Sequence, residues 1–114
     1  METPASVEAI AGQFAALAHP HRIQIVRLLL AAYDLGGMTA GDLQTRLKMP
    51  GSTLNHHLMK LERAGLVESR RDRQWVWYAA RAKGLREMLS FLFEECCTGH
   101  QVVRVEEIAG GKKS

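Results

Sequence analysis

Apolar positions recur at helical spacing along most of the chain and give way once to extended runs. Val7, Ile10, Phe14 and Leu17 are separated by three or four residues, which predicts a first helix over residues 5–18. His19-Pro20-His21-Arg22 breaks and restarts the chain, with Pro20 suited to the first position of a second helix running to Tyr33. Ile23, Ile25, Val26, Leu29 and Leu30 make that helix apolar on more than one side, as a central helix requires. Asp34-Leu35-Gly36-Gly37 ends it. Thr39 suits an N-cap, with Asp42 three residues on, for a short third helix from Ala40 to Leu47 burying Leu43 and Leu47. Ser52 is the expected cap of a fourth helix reaching Ala64. Leu54, Leu58 and Leu61 face inward there, and Gly65 closes the end. Residues 67–71 and 74–79, rich in Val, Trp and Tyr, flank Asp72-Arg73 and read as a two-stranded hairpin. A fifth helix starts near Ala82 and aligns Leu85, Met88, Leu89, Leu92, Phe93 and Cys96, with Gly99 at its end.

The predicted order is ααααββα, a mainly α (α+β) winged helix-turn-helix. Helices three and four form the bihelical motif and the hairpin is the wing. A chain of 114 residues holds one core, so residues 1–100 are expected to form the domain and 101–114, ending in Gly-Gly-Lys-Lys-Ser, a flexible tail. No run of about 20 apolar residues is present to span a bilayer. Met1-Glu2-Thr3-Pro4 lacks the basic start of a signal peptide, so a soluble, cytoplasmic protein is expected.

Charge sharpens this picture through its distribution. The net value is only +3, but residues 1–45 carry −2, residues 46–73 carry +4 and residues 74–114 carry +1. The positive field thus lies on the third and fourth helices and the hairpin, as a phosphate-facing surface would have it. With Leu54, Leu58 and Leu61 turned inward, Ser52, Thr53, Asn55, His56, Lys60 and Arg63 are left on the outer side of the fourth helix. Short side chains permit close approach to base edges, and Asn can pair with adenine through two hydrogen bonds. The Ser52 and Thr53 hydroxyls suit phosphate oxygens. Arg70, Arg71 and Arg73 are expected at the wing tip, tracking the backbone or entering the minor groove. His57, at the core rim, reads as a structural hydrogen-bonding histidine. His19 and His21 read as caps of the second helix or phosphate contacts. Trp75 and Trp77 share one strand face, Val76 and Tyr78 the other, with packing under the wing as the expected role.

Four segments in this order carry a resemblance: Phe14-Ala-Ala-Leu-Ala18 with His-Pro-His-Arg-Ile23, Ser52-Thr-Leu-Asn-His-His-Leu58, Leu61-Glu-Arg-Ala-Gly-Leu-Val67, and Trp75-Val-Trp-Tyr78. Over residues 8–97 the chain resembles the arsenic-repressor (ArsR-type) family of winged-helix metalloregulators. The resemblance implies a homodimer through the first and last helices, reading an inverted repeat in double-stranded operator DNA with two recognition helices about 34 Å apart. It also implies repression, not enzymatic activity. The chain has no Cys-x-x-Cys motif, nucleotide-binding loop or acid–base cluster.

Of the ion-sensing places that the resemblance implies, two are missing. No cysteine lies in the third helix, and residues 81–93 contain neither histidine nor aspartate. Cys96-Cys97 remains, with His100 nearby as a third candidate ligand. Adjacent cysteines are unsuited to a loop-closing disulfide. They are reduced thiols, a soft ligand pair, an intersubunit bridge or filler. Trivalent arsenic forms three pyramidal bonds and prefers thiolates. A two-cysteine site therefore suits a methylated arsenite, whose methyl group occupies one bond. Inorganic arsenite fits with hydroxide or a partner-subunit group as third ligand, and antimonite has similar chemistry. Tetrahedral zinc needs four donors where the local chain offers three. The same thiols could instead read oxidation, and a winged helix that binds protein rather than DNA is a further alternative.

Overall fold

The computed structural model describes residues 6–94. Its helices are α1 (Val7–Leu17), α2 (Pro20–Ala31), α3 (Ala40–Leu47), α4 (Gly51–Arg63) and α5 (Ala82–Glu94), and its strands β1 (Met38–Thr39), β2 (Val67–Asp72) and β3 (Trp75–Ala80). The winged helix-turn-helix is as expected from the sequence, with one addition. The wing has three strands in the order β1-β3-β2, all antiparallel, so β3 is central. The 100/101 domain boundary and Cys96, Cys97 and His100 lie outside the described residues.

The first four helices begin at identifiable local signals. Ser6 Oγ accepts the Ala9 N–H at 3.0 Å to start α1. His19 Nδ1 accepts the His21 N–H at 3.1 Å to start α2, with Pro20 in the first position. Thr39 Oγ1 accepts the Asp42 N–H at 3.2 Å, as its position before α3 predicts. The cap of α4 differs from expectation. Pro50, extended at φ −63°, precedes the first helical residue, and Ser52 lies within the first turn. A proline caps without a side-chain hydrogen bond, which leaves the Ser52 hydroxyl exposed. Gly65, at φ +77°, ends α4 in the left-handed region.

The core gathers Ile25 and Leu29 of α2, Leu43 of α3, Leu54, Leu58 and Leu61 of α4, Leu66 and Val67 at the entry to the wing, and Met88 of α5. Leu47 is only partly buried. In α2, Ile23 and Leu30 are exposed, so its apolar excess is not fully absorbed by this core. Strand β1 was not foreseen because it is two residues long. It depends on Gly37 at φ +103°: a Cβ there would stand 2.0 Å from the Tyr78 carbonyl oxygen. Only glycine allows the chain to lie this close to β3.

Candidate nucleic-acid interface

Helix α4 has two unlike sides. Leu54, His57, Leu58 and Leu61 are buried, while Ser52, Thr53, Asn55, His56, Met59, Lys60 and Arg63 are exposed. At 100° per residue, Ser52, His56, Met59 and Arg63 run along the line farthest from the core. Asn55 flanks that line on the side of Glu62, and Thr53 and Lys60 flank it on the other. Lys60 and Arg63 also border an open groove with Glu8, Gln13 and Arg22, which turns Lys60 toward α1. Met59, 47% exposed in the middle of this polar face, escaped the sequence reading. Its place at three residues from His56 and four from Arg63 was the available signal.

The helix is braced from both flanks. Arg22 of α2 donates from Nε to His57 Nδ1 at 3.1 Å and from Nη1 to the Ala16 carbonyl at 3.0 Å. Ser69 of β2 donates from its hydroxyl to Glu62 Oε2 at 2.7 Å. His57 is thus the structural histidine its position predicts. Burial, reinforced by the charges of His19, Arg22, His21 and His56, holds its pKa below the ordinary 6.5 and the ring neutral. The four rings crowd together: His57 lies 4.6 Å from His19, 5.6 Å from His21 and 5.8 Å from His56 between centroids.

The wing separates the three arginines that the sequence places together at its tip. Arg73 occupies the turn at φ +61°, and exposed Arg71 pairs across the ladder with Val76. Arg70 pairs with Trp77 and is not at the tip. Its guanidinium lies 5.1 Å from the Trp77 ring, and Nη1 donates to the Gly36 carbonyl at 2.9 Å. Planar delocalised charge stacks well on indole, and one of its N–H groups reaches the loop carbonyl at the same time. Trp77 is accordingly half-buried. Trp75 departs from its expected packing role, being 55% exposed opposite Asp72 near the turn.

Comparison with known proteins agrees with this geometry. Residues 17–70 match the family described as a helix-turn-helix domain. The transcriptional activator HlyU of Vibrio cholerae is 33% identical over 86 residues, covering 75% of this chain and 76% of the relative. A putative arsenical resistance operon repressor of Halobacterium salinarum is 32% identical over 79 residues, covering 69% and 60%. Among solved structures, an ArsR-like transcriptional regulator from Rhodococcus superposes with TM-score 0.67 at 28% identity, covering 78% of this chain and 80% of that one. A homodimeric winged helix-turn-helix DNA-binding domain from Mycobacterium bovis, at 24% identity, shares the fold with TM-score 0.61, covering 86% and 89%. The chain is a DNA-binding transcriptional regulator and not an enzyme. It belongs to the ArsR family of helix-turn-helix regulators. Among the described residues no helix is long and apolar enough to cross a membrane.

Proposed function

We propose that the protein is a homodimeric repressor whose α4 enters the major groove, once per protomer, on an inverted-repeat operator. The observation that carries this reading is the division of α4 into a buried face and an exposed one, polar apart from Met59, beside a basic hairpin. Ser52, Thr53 and Lys60 take phosphate contacts, and Asn55 and His56 take base edges. Arg71 and Arg73 reach the flanking backbone or minor groove. Arg70 contributes field more than contact, since its guanidinium is already engaged. Dimerisation through α1 and α5 is supported by Val7 at 68% and Leu92 at 56% exposure, and by the homodimeric relative from M. bovis. Residues 1–100 act as one unit in this reading, and 101–114 as a tail.

The effector is a trivalent arsenical held by Cys96 and Cys97, with methylarsenite the best match to two thiolates and inorganic arsenite or antimonite needing a third donor such as His100. The adjacent thiols of the sequence and the arsenical-resistance relative of H. salinarum support this choice. Binding next to α5 reshapes the dimer and changes the spacing of the two α4 helices. Release then requires tighter arsenical binding to the geometry that does not fit DNA. The test is fluorescence anisotropy of a duplex-bound dimer titrated with each arsenical. The Cys96→Ser/Cys97→Ser chain should hold DNA and fail to release it. Release of that double variant by arsenicals refutes the thiol site. Peroxide-driven release reversed by reductant, with no arsenical response, assigns the thiols to redox sensing instead.

A further inference from the structure

His19, His21 and His57 each present a ring nitrogen within 4.8 Å of the other two. His19 caps α2, His21 lies in its first turn and His57 comes from the inner face of α4, so the cluster joins the start of one helix to the flank of the other. We propose that these three imidazoles bind a divalent transition metal of the zinc, cobalt or nickel class, and that the ion displaces Arg22 from His57.

The donor set selects the metal. Three imidazoles and no carboxylate suit zinc, cobalt, nickel or copper rather than magnesium or calcium, and three protein ligands leave a fourth position for water. Zinc–nitrogen bonds near 2.0 Å at tetrahedral angles place ligand atoms about 3.3 Å apart, so the rings close inward by side-chain rotation. His21 is exposed and His19 half-buried, which gives the ion an entry path and leaves the His21 ring free to turn, while His19 must give up its capping bond to do so.

Displacement of Arg22 follows from counting protons. A neutral imidazole has one N–H and one lone pair. The lone pair of His57 sits on Nδ1 and accepts the Arg22 Nε–H. An ion bound at Nδ1 replaces that hydrogen directly. An ion bound at Nε2 moves the ring proton to Nδ1, where it opposes the Arg22 N–H, donor against donor. In both cases the hydrogen bond between α2 and α4 is lost. The same count applies to His19, whose Nδ1 accepts the His21 backbone N–H. The guanidinium, positively charged beside a dication, keeps its second contact to the Ala16 carbonyl and withdraws from the ring. The recognition helix thereby exchanges an arginine brace for a metal one.

The experiment uses the full chain carrying Cys96→Ser/Cys97→Ser, so that no thiol competes, and titrates metal-free protein with Co2+ followed by visible absorption. One Co2+ per protomer with nitrogen and oxygen ligation is expected, displaced by Zn2+. His21→Ala in this background, at an exposed position that leaves the far-UV circular dichroism unchanged, should weaken Co2+ binding by more than about 100-fold, beyond the loss typical of outer ligand-supporting residues. Failure of Co2+ and Zn2+ to bind, or equal binding by His21→Ala, overturns the site. In 15N-labelled protein the Arg22 Nε–H resonance should shift or vanish on Zn2+ addition, and an unmoved resonance overturns the displacement. Neither readout depends on DNA or arsenicals, so the proposed repressor mechanism and this site can fail separately.

Discussion

Among the described residues α4 and α5 each contribute thirteen, yet they meet their surroundings in opposite ways. The first buries three leucines and a histidine on one side and turns polar groups outward. The second buries only Gly84 and Met88, leaves Leu85 and Phe91 half-covered, and exposes Leu92. A polar outer face has already met its desolvation requirement and awaits a hydrated, charged partner. An apolar one is incomplete until another apolar surface covers it. In the proposed reading the first face serves a polyanion and the second a copy of the same chain.

That contrast is most sharply tested by leucine truncation. Leu61→Ala in α4 should cost about 2–5 kcal/mol in urea denaturation, as for other fully buried leucines. Leu92→Ala should leave the isolated chain within about 0.5 kcal/mol. It should instead weaken self-association about tenfold or more in sedimentation, given about 1.5 kcal/mol or more per buried leucine side chain. Equal unfolding costs at the two positions would erase the distinction. On the polar face, Asn55→Ala should lose about 1–3 kcal/mol of operator affinity per half-site and relax discrimination at one base pair in each, read by anisotropy on a set of duplexes. The wing arginines divide next. Arg71→Ala and Arg73→Ala should each lower the slope of log affinity against log salt by about 2, one phosphate contact per protomer. Arg70→Ala should change it less and instead speed hydrogen exchange along β1–β3. The smallest effect is on pH. The folded chain holds the His57 pKa below 6.5, so the unfolded chain binds the proton more readily in that window. Stability is complete above pH 6.5 and declines as the pH falls through the lowered value. His57→Gln should flatten this decline in denaturation midpoints measured from pH 7.5 to 5.

Element order, the helix caps at Thr39 and His19, and the inward leucines of α4 were legible because each is a local matter of spacing or capping chemistry. Strand β1 was not. Its two residues carry no periodicity, and its existence rests on the contact of Gly37 with Tyr78, remote in sequence. The position of Arg70 was hidden for the same reason: only the ladder sets it opposite Trp77 and beside Gly36. The polar residues on the outer face of α4 could be read one by one, whereas Met59 among them was missed. The gathering of His19, His21 and His57 could not, since it needs the crossing of α2 and α4.

Thr39 holds two posts at once. It is the last residue of β1, opposite Trp77, and its hydroxyl receives the Asp42 N–H in the first turn of α3. No residue of slack separates sheet from helix. In the proposed reading, a hairpin that tilts against a phosphate ridge would therefore pull on the start of α3, and flap and reading head would move as one tool.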